Sequence, residues 1–143
     1  MFRSPRPAPP ELSETASFKL YLDHYTQRAG LTENRLAACA RIRQQRLNKI
    51  ANGYIKDVDV ETLVRLCLVL GLTEPEALDL MARRERALSP ANPLHRVYRD
   101  LLGIYAQREP SRPSDAIGMA GILNEADEYL ESHGFAPFSD KSI

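Results

Sequence analysis

The stretch RIRQQRLNKIANG, Arg41 to Gly53, carries four cations, a glutamine pair, two asparagines and no acid. On a helix starting near Gln44, the side chains of Gln44, Gln45, Asn48, Lys49 and Asn52 span roughly 140° of one side. Leu47 and Ile50 fall on the other side and suit attachment to a core. Glutamine and asparagine amides make paired hydrogen bonds to adenine in the major groove, and Lys or Arg makes them to guanine. The spacing therefore predicts base contacts from Gln44, Gln45, Asn48 and Lys49. Phosphates lie at the margins of such a face. The candidates there are Thr32, Arg35, Arg41, Arg43, Arg46, Asn52, Tyr54 and Lys56. Thr32 is a good N-cap, and the free N–H groups of the helix it opens would suit a phosphate.

The charge distribution agrees. The chain has 143 residues and a formal net charge of zero. Residues 32–56 nevertheless hold six cations against Glu33 alone, while residues 87–143 hold five Lys/Arg against eight Asp/Glu. A basic middle and an acidic end imply a local anion-binding face. Composition is that of a globular protein, 43% hydrophobic and 27% charged. No apolar run approaches the roughly 18 residues of a membrane helix. The N-terminus has no apolar segment of the secretory kind, so the expected compartment is the cytoplasm.

A run of helices must position these groups. Residues 1–13, rich in proline, read as a flexible tail. A first helix is expected from about Glu14 to Ala29, with Phe18, Leu22 and Tyr25 at i, i+4 and i+7 and Gly30 at its end. A second runs from the Thr32 cap to near Ala40, and a third covers Gln44 to Asn52. Asp59 opens a fourth, VETLVRLCLVL, which Gly71 ends. Thr73 opens a fifth, expected to continue through EPEALDLMARRERAL with arginines trailing in a way that suits the helix dipole. After SPANP, apolar residues from Leu94 to Tyr105 make a sixth helix. Asp115 caps a seventh whose inner face is Ile117, Ala120, Leu123, Ala126 and Leu130, with Gly134 as its stop. Gly118 and Gly121 weaken that helix by up to about 1 kcal/mol each unless another backbone packs there. The FAPF segment is expected to fold back onto the core. No strand-like alternation appears, so the class is all-α.

Gly30 to Gly53, GLTENRLAACARIRQQRLNKIANG, resembles the helix-turn-helix core of the lambda-repressor-like Cro/CI (XRE-type) DNA-binding domains. The matching residues are Leu31-Thr32, Leu36-Ala37, Ile42, Leu47, Ile50 and Asn52-Gly53. VETLVRLCLVLGLTEPEAL resembles the family's fourth and fifth helices. The resemblance implies a five-helix DNA-binding domain followed by a two-helix C-terminal extension. It also implies base reading by Gln44 and Gln45, which match the glutamine pair of lambdoid phage repressors.

Four departures stand out. Arg41 occupies the place of the turn glycine, where a left-handed non-glycine costs on the order of 1 kcal/mol. Arg43 replaces the Ser/Thr cap of the third helix, a loss of roughly 1 kcal/mol. Thr26 and Ala51 stand where many relatives pair an Arg with a Glu. Leu68 and Cys39 replace exposed polar residues, so Leu68 should be covered by the C-terminal helices or by a second subunit.

Nothing points to catalysis: G-x-S-x-G, C-x-x-C, H-E-x-x-H and P-loop patterns are absent. No cofactor or metal is implied. Cys39 and Cys67 read as small apolar fillers, Tyr21, Tyr25, Tyr98 and Tyr105 as core or interface, and the three histidines as surface residues. Residues 14–88 are expected to form the DNA-binding domain, and 89–143 a helical extension that dimerises the chain or receives a protein partner. The reading is a sequence-specific double-stranded DNA-binding transcriptional regulator, acting as a homodimer. The alternative is a helix-turn-helix module that binds protein, an antitoxin or an antagonist of another regulator, motivated by the altered turn and missing cap. RNA binding has less support, since exposed stacking aromatics are few.

Overall fold

A computed structural model describes residues 18–106 and 115–138, with side chains described for all of these except 115–120. The expected tail and the first turn of helix one from Glu14 lie outside the described residues, and the side chains of Ile117 and Ala120 and the surroundings of Gly118 are not among those described. Seven helices follow one another: α1 (Phe18–Arg28), α2 (Glu33–Cys39), α3 (Gln44–Ala51), α4 (Val60–Leu70), α5 (Glu74–Ala82), α6 (Pro93–Tyr105) and α7 (Asp115–Ser132). Among the described residues there is no strand, and the fold is all-α, five helices with two more after them.

Local chemistry explains where helices begin. The Thr32 hydroxyl accepts the Arg35 N–H at 3.2 Å. Thr73 and Glu76 form a reciprocal capping box, each side chain accepting the other's backbone N–H. Asn92, hidden in what the sequence offered only as a chain break, accepts from the N–H groups of Leu94 and His95 with Pro93 behind it. Asp59 holds the cap position of α4, but its carboxylate accepts from the Thr62 hydroxyl and not from the helix N–H groups.

Most helices end on a glycine in the left-handed region, φ 73° at Gly30, 84° at Gly53, 66° at Gly71 and 85° at Gly134. In each case the next residue's N–H returns to the carbonyl five residues back, as Tyr54 does to Lys49. Two ends use the same closure without glycine: Arg41 at φ 60° and Glu85 at φ 58°. The second corrects the expected length of α5. The helix stops at Ala82, not near Leu88, and the Arg86 N–H closes on Met81 O. The reason lies outside the helix. The closure turns Arg84 and Arg86 back onto the loop after α3, where they donate to the carbonyls of Ile55 and Val58.

Helix α4 is the axis. Every residue from Thr62 to Leu70 is buried, and α2, α5, α6 and α7 all pack on it. Leu68 is therefore covered by the chain's own C-terminal helices, which supply Val97, Tyr98, Leu101, Leu102 and Tyr105 from α6 and Ile122, Leu123, Ala126 and Leu130 from α7. Phe138 folds back as expected and stacks on Tyr98 with ring centres 5.7 Å apart. One apolar core runs without a break from Phe18 to Phe138. Among the described residues, Leu20 of α1 and Ile104 of α6 are the large aliphatic side chains left exposed. Cys39 and Cys67 are buried, and burial pushes the Cys67 thiol up to about 12, so it stays protonated as a filler. His24 departs from its expected surface place: it is half-buried, and its Nε2 is enclosed without a hydrogen-bond partner among the described residues.

Thr26 and Ala51 line an open depression of about 220 Å³ where the ion pair of the resemblance would lie. The Thr26 hydroxyl donates to Leu22 O at 2.6 Å. An ion pair ties α1 down elsewhere: Arg28 reaches both carboxylate oxygens of the capping-box Glu76 at 2.9 Å. At Gly121 and at Gly103 in α6, an added Cβ would meet nothing within 4 Å. Among the described residues no backbone requires a glycine there. Gly121→Ala is expected to raise stability by about 0.5–1 kcal/mol. A urea titration should show a higher midpoint at constant slope. An unchanged or lower midpoint would mean that something occupies that surface.

Candidate nucleic-acid interface

Helix α3 is held from beneath by Leu47 and Ile50, both wholly buried, and by Ala51, against α1 and α2. Opposite them, Gln44, Gln45, Asn48, Lys49 and Asn52 are exposed together. The structure thus brings the four expected base-reading side chains onto one open face. The Gln44 amide approaches Glu33 at 3.5 Å, the outer limit of a hydrogen bond. Gln45, Asn48 and Lys49 make no side-chain hydrogen bond among the described residues. Asn52 donates one amide hydrogen to Asn48 O at 2.8 Å and closes the helix end. Arg43 stands at the N-cap with extended geometry and no capping bond, as expected of an arginine there. Between α2 and α3 lies a shallow depression of about 360 Å³, where Asn34, Ala38 and Ile42 meet Gln44 and Gln45.

The expected phosphate contacts divide. Thr32, Arg35, Arg43, Asn52, Tyr54 and Lys56 are exposed around the edge of α3, Tyr54 at 78%. Arg46 is half-buried, with its Nε enclosed and unpartnered among the described residues. Arg41 does not have the place expected of it. Its guanidinium turns away from α3 to α7, meeting Asn124 Oδ1 at 2.7 Å, Asp127 Oδ2 at 2.8 Å and Phe138 O at 3.4 Å. The physical reason is the left-handed backbone, which closes α2 and aims the side chain at an acid on the extension. Asp127 also accepts the Phe138 N–H at 2.9 Å, so one carboxylate joins the turn, α7 and the returning tail.

Sequence reasoning missed the group beneath this turn. Arg65, in the middle of α4, has no exposed surface. Its guanidinium donates to Ala40 O at 3.1 Å, Arg41 O at 3.0 Å and the Thr62 hydroxyl at 3.2 Å. Glu61 lies 3.9 Å from its Nε. Burial pulls the Arg65 pKa down, and Glu61 opposes that shift. The Ala40 and Arg41 carbonyls are the acceptors freed where α2 ends, and a buried carbonyl without a donor is costly. Arg65 supplies the donors from inside while Arg41 grips α7 from outside. The one available signal was a lone arginine inside an otherwise apolar helix.

Among the described residues no helix is long and apolar enough to cross a membrane. None of their His, Cys, Asp and Glu side chains gather into a group of three able to hold a metal ion. No curated protein and no solved structure matches the chain. One protein family does: the model described as the Cro/C1-type HTH DNA-binding domain matches residues 22–82, a segment that opens within α1 and closes on the last residue of α5. Residues 22–82 therefore belong to the Cro/C1-type helix-turn-helix DNA-binding family, with α6 and α7 following them in the chain.

Proposed function

We propose that this protein is a cytoplasmic, sequence-specific transcriptional regulator that lays α3 in the major groove of double-stranded DNA. Gln44, Gln45, Asn48 and Lys49 read base edges. Thr32, Arg35, Arg43, Arg46, Asn52, Tyr54 and Lys56 hold phosphates. The observation that carries the reading is the exposure of the whole polar face of α3 while the later helices pack on α2 and α4. Two copies acting as a homodimer would set their α3 helices about one helical turn apart on a near-palindromic site. The protein-binding alternative began from a turn without glycine. Arg41 reaches the left-handed conformation all the same, and no observation favours that alternative.

Selection from a random-duplex pool tests the proposal and returns the site and its symmetry. Failure to enrich any sequence would sink it. In the selected site, Gln44→Ala is expected to relax preference at one base position and weaken binding by about 1–3 kcal/mol. If random duplex is weakened equally, Gln44 does not read a base.

A further inference from the structure

Beyond the end of α3 the surface forms a second basic feature. A concavity of about 310 Å³ is lined by Gly53, Lys56 and Asp57 from the loop after α3, and by Arg84, Glu85 and Arg86 from the turn after α5, with Arg83, paired to Asp79, at its side. We propose that this concavity binds a phosphate group of the DNA backbone, lying outside the base pairs that α3 reads. The proposal rests on the DNA-binding reading above and extends it to arginines outside the family segment.

Three observations carry it. The first is preorganisation. The left-handed closure at Glu85 ends α5 early and swings two arginines beside the loop. Arg84 donates to Ile55 O and lies over the Phe18 ring at 5.2 Å. Arg86 donates from Nε to Val58 O at 2.8 Å and from Nη1 to Glu85 O at 3.2 Å. Each guanidinium is fixed in place, and an anion would not have to order it. The second is unspent donor capacity. Arg84 uses one of its five N–H groups on a hydrogen bond among the described residues. Tying the loop to the helix end accounts for that bond and leaves the remaining fork without an acceptor.

The third observation is charge. Lys56, Arg84 and Arg86 meet here with Asp57 and Glu85. Asp57 is fully exposed and 3.8 Å from Arg86, too far for a hydrogen bond. Burial lowers the Arg84 pKa first and the charge of Arg86 lowers it further, with no carboxylate raising it. Two fixed cations repelling each other beside an open hollow make a place where an anion lowers the energy. Arg and phosphate form paired hydrogen bonds, the geometry a guanidinium fork provides. The hollow includes Gly53 and Lys56, next to Asn52 and Tyr54, so it continues the phosphate edge of α3 along the duplex.

The test is the salt dependence of duplex binding by the full chain, with folding checked by circular dichroism. Removing one phosphate contact lowers the slope of log affinity against log salt by about 0.9. Arg84→Met is expected to lower the slope by about one, for random and selected duplexes alike. Glu85→Lys, which changes an exposed side chain on the rim, is expected to raise the slope and tighten binding of every duplex. Should Arg84→Met fail to fold, Glu85→Lys decides alone. Slopes unchanged in the folded variants, while the parent chain binds duplex with strong salt dependence, would overturn the concavity and leave the reading of α3 standing. Saturable binding of inorganic phosphate that Glu85→Lys strengthens, with the duplex slope unmoved, would assign the hollow to a free anion and overturn the proposal too. A parent chain with no salt-sensitive duplex binding would remove both readings.

Discussion

Arg65→Met is expected to destabilise the protein by about 2–4 kcal/mol, the balance of two opposed effects. Methionine relieves the burial of a guanidinium that has no exposed surface, and it fills most of the same space. It also removes the hydrogen bonds to Ala40 O, Arg41 O and the Thr62 hydroxyl. The Thr62 hydroxyl still reaches Asp59, and Glu61 is exposed enough to take up water. The carbonyl of Ala40 has no such recourse and that of Arg41, part-buried, has little, and a buried acceptor left unpaired costs about 1–3 kcal/mol. The acceptors belong to the backbone, so no second substitution removes them, and that is why the loss exceeds the relief. The urea midpoint should fall at constant slope. Duplex affinity, measured well below the transition, should fall as well, because these two carbonyls fix the angle at which α3 leaves α2. Arg65→Lys should recover only part of the loss, since an ammonium cannot present the fork. A midpoint unchanged in Arg65→Met would mean that the turn holds itself.

Ending the chain at Leu88 is expected to abolish cooperative folding. The segment matched by the family would be intact, yet α4 would lose α6 and α7. Residues Thr62 to Leu70 are buried on every side of that helix, which five helices cannot achieve alone. Exposing a buried Leu or Val costs about 1.5–3 kcal/mol. Several such exposures approach the roughly 5–15 kcal/mol that hold an ordinary domain folded. Arg41 would also lose Asn124 and Asp127 and keep its left-handed backbone. A shallow, non-cooperative melt and dye binding to exposed apolar surface are the expected signs. A truncated chain that melts sharply and binds duplex like the parent would show that the shared core is dispensable.

Much of this was legible in the sequence because it depends on local rules. Helix periodicity, the Thr32 and Thr73 caps and the glycine stops gave most helix ends among the described residues within a residue or two, the end of α5 excepted. The spacing of Gln44, Gln45, Asn48 and Lys49 against Leu47 and Ile50 gave the open face of α3. Leu68, apolar at a surface position, told of cover by later helices or by a second subunit, and α6 and α7 pack on its helix. What escaped depends on contacts far apart in the chain. Arg41 looked like a phosphate ligand because nothing local shows that Asp127 lies 2.8 Å away. Arg28 and Glu76, 48 residues apart, gave no sign of pairing. The trailing arginines of α5 read as helix because that segment has helical propensity, and carbonyls at Ile55 and Val58 overrode it. Arg65 was passed over within an apolar run.

Arg41 bears on how this lineage can change. A return to glycine at position 41 would ease the backbone and at one stroke leave the Asp127 carboxylate without its cation. Loss of the acid first would strand a guanidinium on a backbone that suits glycine. Neither step is favourable alone, so positions 41 and 127 should be inherited as a pair among descendants of this chain, and an α3 transplanted from a glycine-turn relative should need its recipient's seventh helix altered as well.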